Sequence, residues 1–322
     1  MRGGIIGFGN IAEKGHLPAY RSLGVDVVAV ADVCPERRRR ARLSGLKSYS
    51  TPEELLEEEE LDFVDLCTPP NYRLQAINLA SIAGVDVLCE KPIAHPWELE
   101  EVRRAVLGSD IFFFPVHNWK YSPHYRKMKE LINGKGDIFM ETRRTGYSRG
   151  NEAWNPDWRV DPRISGGGIL MDHGYHNIYL AMYLMGSEFG RAKLHSISYF
   201  GDTGVDCDVE FELEFPEGRR AMVSLTWTSL KREVNIQCSS PRKIELLENR
   251  LTCGDRVYEF REGLSKDSVH ADWFRGVIRD FISLRKIGGR TYFQEALKVL
   301  EGVRELYRQS PKPVGPRSRC RA

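Results

Sequence analysis

The chain has no C-x-x-C pair, no cysteine–histidine grouping and no apolar run of membrane-spanning length. Its seven cysteines, Cys34, Cys67, Cys89, Cys207, Cys238, Cys253 and Cys320, stand singly, which argues against a zinc module and fits a reducing compartment. The first apolar run, Ile5-Ile6, is interrupted by Gly7-Phe8-Gly9 and is too short for a signal peptide, so a cytoplasmic protein is expected. A surplus of charge is missing as well. The formal net charge of +2 gives no electrostatic footprint for nucleic acid or a membrane surface, which leaves a small molecule as the expected partner. What is present is enough apolar material for a substantial core, 41% hydrophobic residues in 322, and that length suggests two domains.

From Gly3 to about Val116, short apolar runs at Ile5-Ile6, Val25 to Val30, Leu61 to Cys67, Val85 to Cys89 and Ile111 to Val116 alternate with helical stretches. This βαβ rhythm predicts a parallel α/β sheet over residues 1–118, its strands apolar on both faces because helices cover both. Gly24, Gly84 and Gly108 stand where helix-closing glycines belong. From residue 119 to 322 the texture changes. Pro123 to Asn133 reads as a helix, and Val209, Phe211, Leu213 and Phe215 alternate with Asp208, Glu210, Glu212 and Glu214 as a half-buried strand. Pro216-Glu217-Gly218 turns the chain into a partner strand from Ala221 to Thr228, and short strand-like segments follow at 234–238, 243–247 and 257–260. The second domain is therefore expected to be α+β on a largely antiparallel open sheet, closed by two amphipathic helices around Trp273 to Phe281 and Phe293 to Leu306, with a loose tail from about Ser310.

Gly7-Phe8-Gly9-Asn10-Ile11-Ala12 is a G-x-G-x-x-A sequence directly after the first strand and at the opening of a helix. The first glycine permits a tight turn, the second lets backbone N–H groups approach a pyrophosphate, and the small Ala12 allows close helix–strand packing. Asp32 stands at the end of the second strand, about 20 residues on, where a carboxylate accepts ribose hydroxyls. The same glycines could merely make a turn, and Asp32 could merely cap the next helix. The combination points to a nicotinamide dinucleotide bound by Gly7, Gly9, Asn10, Ile11 and Asp32. A carboxylate repels a 2′-phosphate, which favours NAD over NADP, although the run Arg37 to Arg40 could clamp one if it is more than a solvated helix face.

Three further segments carry a resemblance. They are Cys89-Glu90-Lys91-Pro92, the crossing segment from Val116 to Pro123, and Gly166-Gly167-Gly168-Ile169-Leu170-Met171-Asp172-His173-Gly174-Tyr175-His176. Together with the glycine turn they resemble the glucose–fructose oxidoreductase, inositol dehydrogenase and MocA (Gfo/Idh/MocA) family over nearly the whole chain. The resemblance implies an active site lined by Lys91, Asp172 and His176, a cis peptide before Pro92, a cofactor contacted also by Thr68, Pro69, Asn71, Glu90 and Lys91, and association of subunits through the second sheet. The chemistry agrees, because oxidising a secondary alcohol needs a proton acceptor at the hydroxyl while hydride leaves, and histidine is the natural base near neutral pH. On a helix Asp172 and His176 share a face and His173 points elsewhere. His176 is therefore read as base, Lys91 as electrostatic partner of the developing alkoxide and Asp172 as orienter. Taken alone, His176 could equally be a hydrogen-bonded core histidine, and Lys91 a surface lysine before a turn proline.

Departures from the family's pattern are Arg73, where a histidine is common, Tyr179, where an acid is common, and Lys120, where arginine is common. His117 and Asn118 are read as pocket-wall residues. Trp154, Trp158 and Arg159, preceded by Tyr147 and Arg149, offer aromatic faces beside hydrogen-bonding groups, which suit a sugar or polyol ring; the tryptophans could also simply pack, and the arginines could read a carboxylate or phosphate. The expected function is hydride transfer between NAD(P) and a secondary hydroxyl of a sugar, cyclitol or related compound in a cleft between the domains. Two other readings stand beside it: a redox-neutral NAD-dependent glycoside-cleaving enzyme, and a non-catalytic dinucleotide-dependent sensor.

Overall fold

The computed structural model describes residues 1–145, 158–201, 203–239, 242–265 and 271–311. The chain forms two compact units. In the first, strands β1 (Arg2–Ile6), β2 (Asp26–Ala31), β3 (Lys47–Tyr49), β4 (Phe63–Leu66), β5 (Asp86–Cys89) and β6 (Phe113–Pro115) make one sheet in the order β3-β2-β1-β4-β5-β6. Every pairing in it is parallel. Helices α1 (Leu17–Ser22), α2 (Pro35–Leu43), α3 (Pro52–Glu58), α4 (Arg73–Ala83) and α5 (Leu99–Leu107) lie between the strands in sequence. The order reverses between β1 and β4, so the loops after those two strands leave the sheet on either side of a crevice at its carboxyl edge.

The five apolar runs expected as strands are strands. β3 was not anticipated, because Lys47-Ser48-Tyr49 is a short edge strand with a polar face and carries no apolar run. Gly24 and Gly84 close their helices in the left-handed region, whereas Gly108 ends α5 at φ −83° and is no left-handed cap.

The second unit is built on an eight-stranded sheet of β7 (Ile138–Thr145), β8 (Arg191–Tyr199), β9 (Asp206–Glu214), β10 (Arg220–Thr226), β11 (Thr228–Cys238), β12 (Ile244–Leu247), β13 (Arg250–Cys253) and β14 (Arg256–Glu259). The order is β14-β13-β12-β11-β7-β10-β9-β8, antiparallel throughout except for β7 beside β10. The alternation read in the sequence is the pairing itself: Val209, Phe211 and Leu213 lie opposite Leu225, Val223 and Ala221, and all six are buried. Helices α6 (Pro123–Ile132), α7 (Pro162–Ser165) and α8 (Tyr175–Met185) also belong to this unit.

The division of the chain differs from a single cut after residue 118. The first unit holds Met1–Tyr121 and also takes in α9 (Ala271–Arg285) and α10 (Thr291–Arg308) as far as Leu297, while α10 from Lys298 onward belongs to the second. Aromatic packing accounts for this. Phe281 stands edge-on to Phe63 at 5.3 Å and Phe293 edge-on to Phe113 at 4.9 Å, so the late helices complete the core of the first sheet.

Candidate functional site

At the carboxyl edge of the first sheet, Gly7 leaves β1 at φ +93°, and a Cβ there would stand 2.9 Å from the Thr68 amide nitrogen. Only glycine fits this turn. A Cβ on Gly9 would meet nothing within 4 Å, so the backbone of Gly9, with exposed Asn10 and half-exposed Ile11 after it, is open to a ligand. Asp32, at the end of β2, is buried and held by two amides, Phe8 N–H donating to Oδ2 at 2.7 Å and Cys34 N–H to Oδ1 at 2.8 Å. The arginine run is engaged within the unit. Arg38 donates to the Asp32 and Val33 carbonyls, Arg39 to Glu36 and Arg40 to Glu13, while Arg37 lies 3.7 Å from Asp32.

The remaining residues read from the sequence in this unit follow β4, β5 and β6 at the same edge. Arg73 joins two of these loops: it donates to the Thr68 carbonyl at 2.9 Å through Nε and to the Pro92 carbonyl through a terminal nitrogen. The position that departs from the family's pattern is thus a clamp between the Thr68-Pro69 turn and the turn of Lys91. Lys91–Pro92 is a cis peptide. Glu90 turns its carboxylate inward, to His16 and to the Lys91 amide. Lys120 sits over the rings of Phe114, Tyr121 and Tyr292, and burial, with Lys120 beside it, holds His117 well below the ordinary histidine range, hence neutral. The Oγ1 of Thr68 and the Oδ1 atoms of Asn71 and Asn118 are shielded from solvent with no hydrogen-bond partner among the described residues. Oxygens in that condition suit a polar ligand at this edge.

In the second unit the glycine triplet leads into a π turn, Leu170–Gly174, and then α8, so Asp172 and His176 lie on one continuous helical path. Such turns are frequent at functional sites. The triplet is clamped from below. Asp206, fully buried at the start of β9, accepts the Gly168 and Leu170 amides at 2.7 Å each and the Tyr307 hydroxyl at 2.7 Å, and a Cβ on Gly168 would lie 1.9 Å from the Asp206 carbonyl oxygen. Burial outweighs these donors and pushes the Asp206 carboxyl up.

Asp172 lies 3.3 Å from Arg159 Nε, and Arg159 lies over the Trp158 ring at 4.4 Å, so this unit brings together three of the residues expected to bind substrate. His176 is buried one turn on. His173, expected to point elsewhere, belongs to the group: its Nε2 accepts from Arg144 at 3.2 Å, which leaves the proton on Nδ1, 3.4 Å from Asp172. Tyr147, Arg149 and Trp154 lie outside the described residues. Sequence reasoning missed Arg144, Asp206, Tyr307 and His16; no motif marks them, and each acts on a partner far along the chain.

A six-stranded parallel sheet in this order, with a glycine turn and an acid at its carboxyl edge, defines a dinucleotide-binding Rossmann domain. The chain belongs to the Gfo/Idh/MocA oxidoreductase family: residues 1–107 match its model for the NAD-binding Rossmann fold, and residues 125–246 match the GFO/IDH/MocA C-terminal domain. Among its relatives are myo-inositol 2-dehydrogenase of Thermotoga maritima, 29% identical over 58% of this chain and 56% of that protein, and D-glucoside 3-dehydrogenase of Escherichia coli, 29% identical over 58% and 54%. The match thus spans little more than half the length of these two curated relatives. A levoglucosan dehydrogenase solved with NADH and levoglucosan has the same fold, at a TM-score of 0.80 and 19% identity, covering 96% of this chain and 98% of that one. The protein is an oxidoreductase of this family with an NAD(P)-binding domain. No helix among the described residues is long and apolar enough to cross a membrane.

Proposed function

We propose that the protein is an NAD-dependent dehydrogenase that oxidises a secondary hydroxyl of a sugar, cyclitol or related polyol. The observation that carries this reading is that Asp172, on the π turn that leads to His176, meets both Arg159 and His173, with Arg159 lying over the Trp158 ring. An aromatic face beside fixed hydrogen-bonding groups matches a ring that carries hydroxyls. The names of the inositol, glucoside and levoglucosan relatives support that substrate class.

NAD, when bound, supplies the hydride acceptor. The backbone of Gly7 to Ile11 would hold its pyrophosphate, Asp32 a ribose, and the oxygens of Thr68 and Asn71 its nicotinamide end. Asp32 favours NAD over NADP, and the salt bridges and carbonyl contacts of Arg38, Arg39 and Arg40 support that preference, because those guanidiniums are already used. His176 takes the hydroxyl proton as the carbon-bound hydrogen leaves with its electron pair and the carbon–oxygen double bond forms. Lys91 stabilises the developing alkoxide, and Asp172, its charge matched by Arg159, orients the substrate.

Six free cysteines among the described residues support a reducing compartment, the cytoplasm. Self-association is proposed through the open face of the second sheet, where Met222, Phe139, Gln237 and Glu245 line up across four strands and Phe139, Leu247 and Val257 are exposed.

The test is absorbance at the reduced-nicotinamide band with NAD or NADP over a panel of sugars, cyclitols and glycosides. At least one member should be oxidised, with NAD preferred over NADP by about tenfold or more. Glycoside cleavage without net reduced cofactor, or dinucleotide binding with no turnover on any member, would contradict the proposal.

A further inference from the structure

Behind the glycine turn lies a buried ionisable cluster that the proposed reaction does not use. His16 ends a π turn, Ala12–His16, and is fully buried, as is Asp65 on β4; Glu90, beyond the end of β5, is 7% exposed. Nδ1 of His16 stands 2.7 Å from Asp65 Oδ2, and Nε2 stands 3.1 Å from Glu90 Oε1.

The other hydrogen-bond partners of the two carboxylates among the described residues are donors as well. The Tyr20 hydroxyl donates to Asp65 Oδ2 at 3.0 Å, the Cys67 thiol faces Oδ1 at 3.5 Å, and the Lys91 amide donates to Glu90 Oε2 at 3.0 Å, with Arg73 and Lys91 the neighbouring cations on the Glu90 side. Phe274, its ring 4.6 Å from the imidazole, covers His16. A neutral imidazole carries one N–H and would turn a lone pair toward one of the carboxylates. Two N–H groups satisfy both. A removed carboxylate partner in such a place is costly, so a buried charge of this kind must be matched on each side.

We propose that His16 is a doubly protonated positioning residue, an imidazolium that bridges Asp65 and Glu90 and through Glu90 fixes the turn that carries Lys91. Each link is a single hydrogen bond: imidazolium to Glu90 Oε1, Lys91 amide to Glu90 Oε2. The helix after the nucleotide turn and the active-site lysine are thereby joined by one charged bridge.

A metal ion is the competing use of the same atoms, since His16, Asp65 and Cys67 place three ligand atoms within 4.8 Å of one another. The 2.7 Å between His16 and Asp65 is a hydrogen-bond distance. Ligands on one tetrahedral ion with bonds of ~2.0 Å stand roughly 3.3 Å apart.

The charge state and the bridge stand on the first unit alone; only their effect on rate rests on the dehydrogenase reading. The primary test is nitrogen NMR of protein labelled with 15N-histidine. One of the eight histidines should keep both ring nitrogens protonated at pH 9, and that signal should vanish in His16→Gln. Absence of any doubly protonated ring at pH 9, or its survival in His16→Gln, would overturn the proposal whether or not a substrate is known. The kinetic arm uses His16→Gln, Glu90→Gln and the double variant. Each single change should lower kcat on the order of 10- to 100-fold, His16→Gln should leave the NADH dissociation constant within about twofold, and the double variant should be no slower than the worse single one. Losses that multiply in the double variant would contradict action through Glu90. Should His16→Gln not fold, the wild-type spectrum and Glu90→Gln still decide, because an unaltered kcat in Glu90→Gln contradicts the positioning role.

Discussion

His16 and Glu90 tie two chain segments together by opposite departures from their ordinary ionisation. Burial pulls His16 toward its neutral form, but Asp65 and Cys67 beside it outweigh that and hold it well above the ordinary histidine value of 6.5. Burial likewise raises Glu90, and the hydrogen bond from His16, followed by the charges of His16, Lys91 and Arg73, brings it below 4.5. A raised histidine contributes stability that is complete below pH 6.5 and is lost as pH climbs through its folded value. A lowered glutamate contributes above pH 4.5 and is lost as pH falls through its folded value. Urea unfolding from pH 4 to pH 10 should therefore show an acid limb and an alkaline limb, with the alkaline limb weakened in His16→Gln; parallel profiles for wild type and variant would contradict the bridge. None of this was legible in the residue order. Gly7 and Asp32 can be read because their roles depend on local spacing within one βαβ unit, whereas His16 meets Asp65 49 residues away and Glu90 74 residues away.

At the scale of elements, strands carried the plainest signal. From Asp208 onward the alternation in β9 marked which residues face the core, because a period of two has only two phases and one of them is all acid; Asp206, in the acid phase, is the buried exception. Helix faces were harder. His173 lies at Asp172 against the expectation that it points elsewhere, and nothing in Leu-Met-Asp-His-Gly marks the π turn at Leu170–Gly174 beforehand. The clamp beneath that turn is built by Asp206 and Tyr307, from a strand and a helix much later in the chain. Replacing Asp206 by alanine leaves two amides and one hydroxyl buried without their acceptor, each worth about 1–3 kcal/mol. Asp206→Ala should accordingly lose about 3 kcal/mol or more of stability in chemical denaturation, together with activity. A loss below about 1 kcal/mol would mean that the turn is held by other contacts.

For the whole molecule, the class of fold was visible as a rhythm, and the division of the chain was not. A cut after residue 118 misses α9 and the first part of α10, whose Phe281 and Phe293 pack against the first sheet; an amphipathic helix announces that it packs, but not on what. The proposed reaction asks each unit for a separate service, dinucleotide binding from the first and proton transfer from His176 of the second. That separation is what a single-turnover experiment can resolve. With the substrate found in the panel, wild-type enzyme and His176→Ala are mixed with NAD and the reduced-nicotinamide band is followed alongside NADH affinity. The account predicts an unchanged NADH dissociation constant and a hydride-transfer rate lowered on the order of 10²- to 10⁴-fold in the variant. Transfer at the wild-type rate by His176→Ala would contradict it.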